Sequence, residues 1–273
     1  MLNRDWMVTE EKLRPRMNVA VVGQNLVLLE EVGSTNDYLK QLAQEGAPDG
    51  TVVLAEQQSA GRGRLGRSFQ SPAQKGIYLS VLLRPEIKAE KAINFTAVAA
   101  VAMCDALEQA VGLRPGIKWT NDLLMGGRKI CGILTEMGAD WQTGMVDYIV
   151  LGIGLNVNEQ QDEFAPELRS IAGSVSMATG RQWDRNEIVA AMLNAIDRVY
   201  ADWKAGRWSV DRYRADCTTI GKPVRVIRGD TVKHAVAEAV DDDFALVVRY
   251  EDGTEEHVFT GEVTVRGQES YAQ

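Results

Sequence analysis

Histidine and cysteine are scarce: two of the first, His234 and His257, and three of the second, Cys104, Cys131 and Cys217, in 273 residues. No CxxC pair occurs and neither histidine sits near other metal-binding residue types, so no structural zinc is expected. The odd, scattered cysteines point to a reducing compartment, here the cytoplasm. No apolar run reaches the ~18 residues that a membrane-spanning helix needs, so no membrane partner is expected. Residues 1–16 are charged and have no apolar stretch followed by small residues, which excludes a secretory signal as the expected reading. Positive charge is also short, 30 Lys and Arg against 38 Asp and Glu, and the net charge of −8 disfavours a general nucleic-acid binder. Against that background any local cluster of cations stands out. Hydrophobic residues at 45% and charged residues at 25% are ordinary for a soluble globular protein. The length predicts one large domain plus a small one.

Along the chain, a short helix over Thr9 to Arg14 is stopped by Pro15, and Val19 to Val22 and Leu26 to Leu29 read as short strands. Ser34-Thr35-Asn36-Asp37 looks like a helix N-cap, with Tyr38, Leu39 and Leu42 following at helical spacing. Thr51 to Ala55 and Ile77 to Leu83 read as buried strands, and Ala92 to Val111 as one alanine-rich helix. Gly116 to Trp119 reads as a strand followed by a turn at Asn121-Asp122. Ile130 to Met137 and Met145 to Ile153 read as an antiparallel pair, and Asp184 to Ala205 as a long helix. Beyond Gly221-Lys222-Pro223 four short β-rich runs are joined by tight turns, the pattern of a small antiparallel barrel. The expected organisation is an N-terminal extension over 1–25, a core domain over 26–220 and a barrel over 221–273.

The sharpest local feature is Gly61-Arg62-Gly63-Arg64-Leu65-Gly66-Arg67, inside a loop of about twenty residues, a length that is uncommon unless functional. Its glycines let backbone N–H groups approach an anion, and its arginines supply permanent charge and forked donors. The spacing is neither a P-loop nor a dinucleotide fingerprint, because GxxxxGK[ST] is absent and no helix opens from the last glycine. Three readings stand: a solvated surface loop, an Arg–Gly segment touching nucleic acid, and a cradle for an anionic ligand. The acidic balance and the single nearby aromatic, Phe69, favour the third.

Gly33-Ser34-Thr35-Asn36, the stretch from Ala60 to Arg67, Lys118-Trp119-Thr120-Asn121-Asp122, the stretch from Arg128 to Leu134 and the stretch from Gly152 to Asn158 together resemble, in order, the motif set of biotin–protein ligases. The resemblance runs from residue 26 to 267. It implies an α+β fold, a mixed central sheet flanked by helices like that of class II aminoacyl-tRNA synthetases, with a small SH3-like β-barrel at the C-terminal end. Some members carry an N-terminal winged helix-turn-helix, for which about 25 residues are too few; the expectation is the ligase-only branch, with no DNA partner. Phe69 stands where many members have Trp, and Thr120 where many have Pro.

The activity so implied has two steps. Biotin's carboxylate attacks the α-phosphate of ATP to give biotinyl-AMP, and a lysine of a biotin carboxyl carrier domain then attacks the anhydride. Mg²⁺ accompanies the ATP. No Ser–His or Cys–His arrangement is evident, which suits a reaction that depends on positioning and preorganised positive charge. The resemblance assigns biotin's ureido ring to Ser34, Thr35 and Gln58, with the backbone at Gly61 and Arg62, and counts Asn36 among the biotin-binding residues. Lys129 would bridge carboxylate and phosphate. Arg64, Arg67 and Lys118 would hold phosphates, and Asn121 and Asn156 would contact the nucleotide, with Phe69 over the adenine. Gly132, Gly152 and Gly154 would let strands approach the biotin rings. Asp122 would help hold the metal or orient the incoming lysine. Ser34 also reads as a plain N-cap, and Trp6, Trp141, Trp183, Trp203 and Trp208 read as packing residues. Two rivals remain: a lipoate or octanoate ligase of related fold, and a nucleic-acid-binding regulator. Dimerisation is left open.

Overall fold

The computed structural model describes residues 6–259 and 264–267. Its larger sheet has seven strands: β1 (Leu26–Val32), β2 (Val52–Gln58), β3 (Ile77–Leu83), β4 (Gly116–Lys118), β5 (Asp122–Met125), β6 (Arg128–Ala139) and β7 (Val146–Leu155). Their spatial order is β1-β2-β3-β7-β6-β5-β4. β1 and β2 are parallel and every other pairing is antiparallel, so the sheet is mixed.

Seven helices accompany the strands among the described residues: α1 (Glu10–Leu13), α2 (Thr35–Gln44), α3 (Ala89–Ala92), α4 (Phe95–Val111), α5 (Val175–Thr179), α6 (Arg185–Lys204) and α7 (Val210–Asp216). Helices cover both faces of the sheet, which is why β3 is buried at every residue and reads as an apolar run interrupted only by Ser80. The period-2 alternation of strands sorts the side chains. Val53, Leu82 and Val150 pack with Leu39 and Ala43 of α2, whereas Val52, Leu54, Val81 and Leu83 join the main core with α4 and α6. Ser34 caps α2 by accepting the N–H of Asp37, and Asp184 caps α6 at Asn186.

A second, five-stranded antiparallel sheet comprises β8 (Pro223–Arg228), β9 (Thr231–Val240), β10 (Leu246–Tyr250), β11 (Glu255–Val258) and β12 (Thr264–Gly267), in the order β11-β10-β9-β8-β12. β12 adds a strand to the four that the sequence pattern showed. The expected barrel span also includes residues 260–263 and 268–273, which lie outside the described residues.

Several local expectations are corrected. Val19–Val22 is not a strand; the N–H groups of Ala20, Val21 and Val22 are accepted by the Asp197 carboxylate on α6, so a side chain replaces a β-ladder partner. Ala92–Val111 is two helices that break at Ile93-Asn94. Asp122 does not sit in the turn but opens β5, pairing with Lys118 across a hairpin and with Gly132 of β6. Trp141, on the β6–β7 hairpin, is 87% exposed and Trp6 is 42% exposed, so neither is a core residue.

The segment before β1 is stitched to α6. Arg185 and Glu56 form an ion pair of 2.6 Å with side chains 1% and 2% exposed. Arg185 also donates to the carbonyls of Gly76 and Trp6, and Glu56 accepts the N–H of Val8. The backbone contacts to Gly76, Trp6 and Val8 offset part of the cost of burying this charge pair.

Candidate active site

A cavity of about 240 Å³ opens where β6, β7, the start of α2 and the arginine loop meet. Its wall contains Ser34, Thr35, Asn36, Gln58, Arg62, Arg64, Arg67, Phe69, Lys118, Asn121, Asp122, Lys129, Gly132, Gly152, Gly154 and Asn156. The fold therefore brings together every residue singled out in the sequence except Gly61.

Gly61 is at the neck of the loop instead. Its carbonyl accepts the N–H of Phe69 at 2.9 Å, and a Cβ there would lie 2.5 Å from the Phe69 carbonyl oxygen. Arg62 and Ser68 bridge next to it, and Arg64–Gly66 makes a 3₁₀ turn with Leu65 at φ 56°. The segment is thus a closed hairpin-like loop. The Arg62 guanidinium turns away from the cavity floor, to Asp37 at 2.7 Å and Glu136 at 3.0 Å.

The three glycines make room, and for side chains of the protein itself. A Cβ on Gly152 would meet the Asn36 amide at 2.1 Å, one on Gly154 the Phe69 ring at 2.6 Å, and one on Gly132 the Lys129 amine at 3.2 Å. Because Gly132 lies opposite Gly154 and Leu134 opposite Gly152, these contacts order the cavity along β7. A polar cluster sits at Gly152, the Phe69 ring over Gly154, and the Lys129 amine at Gly132. Phe69 also meets Tyr78 edge to face, with ring centroids 6.4 Å apart.

The cationic part is built on hairpin strands. Lys129 is the second residue of β6, not a turn residue, and its amine lies 2.6 Å from Asp122 Oδ1. The Lys129 backbone is held by a separate loop: its N–H donates to the Ile171 carbonyl at 2.8 Å and its carbonyl accepts from Gly173 at 2.9 Å. Arg64 donates to Thr120 Oγ1 and to Asn121 Oδ1, at 3.0 and 2.9 Å. Burial pulls the Arg64 guanidinium pKa down, partly offset by the Asp122 carboxylate. Lys118 is 7% exposed. Asn121 donates to the Ile133 carbonyl and Asn156 to the Gly173 carbonyl, which fixes both amides. Lys118 is buried and Arg64 and Lys129 are partly so, and cations drawn together out of water favour an anionic occupant.

Asp122 is the one acidic residue in the cavity wall, and no group of three or more potential metal ligands exists among the described residues. A single carboxylate fits a Mg²⁺ ion that arrives on phosphates, not a protein-built metal cage.

Reasoning from sequence missed part of the wall. Trp119 lines the cavity and donates its indole N–H to the Phe244 carbonyl at 3.1 Å. Phe164, Leu168, Ile171 and Ala172 close the side where Lys129 is braced. The apolar spacing in that loop is too irregular to give a periodic signal. Ser71, Ser80 and Glu136 stand behind the wall, and nothing in their local sequence marks them.

Residues 28–156 match the biotin/lipoate A/B protein ligase family, and residues 219–266 match the biotin protein ligase C terminal domain. A biotin--[acetyl-CoA-carboxylase] ligase of Mycobacterium tuberculosis is 34% identical over 257 residues, covering 90% of this chain and 92% of the relative. The bifunctional ligase/repressor BirA of Bacillus spizizenii is 34% identical over 255 residues, covering 93% of this chain and 78% of its own length. Among solved structures, the biotin protein ligase from Aquifex aeolicus in complex with biotin and ATP superposes with a TM-score of 0.76 at 26% identity, covering 89% of this chain and 99% of that one.

Proposed function

The chain belongs to the biotin protein ligase family, and on that premise we propose how its cavity performs the two-step reaction. It is an ATP-dependent ligase that joins biotin and ATP into biotinyl-5′-AMP with release of pyrophosphate, then passes the biotinyl group to a lysine. The observation that carries the residue assignment is the order of the cavity along β7, from neutral donors and acceptors at Gly152 to the Phe69 ring and the Lys129 amine at the paired Gly154 and Gly132. Biotin has that polarity, a cyclic urea at one end and a carboxylate at the other.

Ser34, Thr35, Asn36 and Gln58 hold the urea, a group that needs both donors and acceptors when desolvated. Lys129 stands between the biotin carboxylate and the α-phosphate and neutralises the charge that gathers as they join. It leaves Asp122 as it does so. Arg64, Arg67 and Lys118 hold the remaining phosphate oxygens, so the catalysis is electrostatic and positional. Phe69 separates the ring end from the nucleotide end, and Asn121 and Asn156 border the nucleotide. Mg²⁺ would be held by Asp122 together with the phosphates, where it would supply charge neutralisation. For the second step the Asp122 carboxylate, once parted from Lys129, can accept the proton of the incoming lysine.

The acceptor is a biotin carboxyl carrier domain of a carboxylase, in line with the name of the mycobacterial relative. Consumption of ATP and three buried free cysteines suit a cytoplasmic setting. No helix among the described residues is long and apolar enough to cross a membrane. The test is exchange of labelled pyrophosphate into ATP by the purified chain. Exchange that depends on biotin is expected; exchange with lipoate in place of biotin, or with no acid at all, would remove the reading.

A further inference from the structure

The arginines of the loop differ in what holds them. Arg62 is neutralised by the carboxylates of Asp37 and Glu136, at 2.7 and 3.0 Å. Arg67 is exposed. Arg64 is partly buried, and among the described residues its guanidinium forms no ion pair. Two neutral oxygens hold it instead: Nη1 donates to Thr120 Oγ1 at 3.0 Å and to Asn121 Oδ1 at 2.9 Å. Both contacts use one nitrogen, so the protons of Nη1 are filled. The Nε–Nη2 edge, which can grip an oxyanion with two parallel hydrogen bonds, is what Arg64 offers to the cavity it lines.

The two acceptors are themselves fixed. Asn121 Nδ2 donates to the Ile133 carbonyl at 2.8 Å, which turns Oδ1 to Arg64. Thr120 is 3% exposed, and its carbonyl accepts the Tyr213 hydroxyl at 3.1 Å. Its neighbour Trp119 is tied at both ends, by its backbone N–H to Thr219 Oγ1 and by its indole N–H to the Phe244 carbonyl. Thr120 does not line the cavity; it lines a neighbouring groove that Arg64 also borders. Its hydroxyl therefore reaches the cavity through Arg64. A neutral acceptor also orders the cation without cancelling its charge, unlike the carboxylates around Arg62. Proline, which the resemblance puts here in many members, offers no side-chain oxygen, so this contact belongs to the present chain.

We infer that Thr120 is a positioning residue, whose hydroxyl joins the Asn121 side-chain oxygen in locking Arg64 with its Nε–Nη2 edge set for the phosphoryl oxygens of ATP. The inference rests on the biotin ligase reading, which is what brings those phosphates to Arg64. A long side chain on a loop otherwise gives up its rotamer freedom when the ligand binds; one already fixed does not. Thr120→Val keeps the β-branched shape and puts a methyl group where Nη1 needs an acceptor. One N–H of the guanidinium is then unmatched, and the group turns away from its set position to find a partner. Thr120→Ser keeps the oxygen.

The experiment is a double-substitution cycle read by pyrophosphate exchange with the whole chain. It compares wild type, Thr120→Val, Arg64→Ala and the two combined, with Thr120→Ser as the rescue. Thr120→Val should lower kcat/KM for ATP by roughly 10- to 100-fold and leave the KM for biotin unchanged. Thr120→Ser should restore most of that loss. In the Arg64→Ala background Thr120→Val should cost nothing further, the mark of one residue acting through the other. General loosening of the hairpin would raise the KM for biotin as well and would persist without the arginine. That result overturns the inference, as do equal impairment by Val and Ser and a Thr120→Val chain as active as wild type; each leaves the ligase reading in place. Absence of biotin-dependent exchange in the wild-type chain removes the functional reading and this inference with it.

Discussion

Lys129 and Asp122 form a 2.6 Å ion pair across neighbouring strands of the central sheet, with side chains 27% and 16% exposed. The amine that should meet the reacting anions is therefore held by a carboxylate of the same cavity. The pair keeps the amine pointed inward until stronger anions compete for it.

Lys129→Ala should lower single-turnover formation of biotinyl-AMP on the order of 10²- to 10³-fold, the range for loss of one preorganised electrostatic donor. Circular dichroism should be unchanged, and biotin should still bind. Normal adenylate formation in this variant would show that the amine is not the bridging group.

Gly154→Ala tests the placement of Phe69. The new Cβ would lie 2.6 Å from the phenyl ring, which must swing away from β7. The backbone there has no left-handed strain, so the substitution acts through the ring. Overpacking of this kind costs roughly 1–3 kcal/mol. The expected outcome in calorimetry is weaker biotin binding, by about 5- to 150-fold if the whole cost falls on the bound state. Affinity equal to wild type would mean that the ring plays no part in shaping the site.

The Arg185–Glu56 pair predicts a stability effect far from the chemistry. Arg185→Ala would leave the Glu56 carboxylate buried without its partner, which typically costs about 3–5 kcal/mol. The double substitution of Arg185 and Glu56 by Met should be milder than the single one, because no charge is stranded. Urea denaturation of the three proteins decides it, and equal midpoints for wild type and Arg185→Ala would contradict the structure.

Glu159 predicts how stability varies with pH. Burial raises its carboxyl pKa to about 7, helped by the neighbouring Glu163 and opposed by Lys75 and nearby backbone N–H groups. An unfolded chain releases this proton near pH ~4.3. Between that value and about 7 the folded state holds a proton that the unfolded state has lost, so this contribution is full in acid and fades as pH rises. Glu159→Gln should remove it. The Tm advantage of wild type relative to the variant should shrink between pH 5 and pH 8, and a constant difference would refute the assignment.

Much of this site was legible in the sequence because its parts are contiguous. Gly61 to Arg67, Lys118 to Asp122 and Gly152 to Asn156 each place several cavity residues within one short motif, and the resemblance supplied their order. Asn36, Ser80 and Glu136 meet through three different elements, α2, β3 and β6, separated by 44 to 100 residues. No local pattern announces such a meeting; it follows only from strand order and register. The same limit explains Val19–Val22, whose β-branched residues suggested a strand. A carboxylate 175 residues away in the chain took the N–H groups instead. Asp122 was misplaced by one residue of a tight hairpin, where strand and turn share the same polar residue types.

Trp119 carries a consequence for the second sheet. The indole that lines the cavity hydrogen-bonds to the carbonyl of Phe244, whose ring in turn packs on Trp208 and Tyr213. The C-terminal module thus acts as a buttress for one flank of the reaction chamber. A shortened chain stopping before Pro223 would retain every residue assigned to chemistry and yet lose the prop that holds its tryptophan in place.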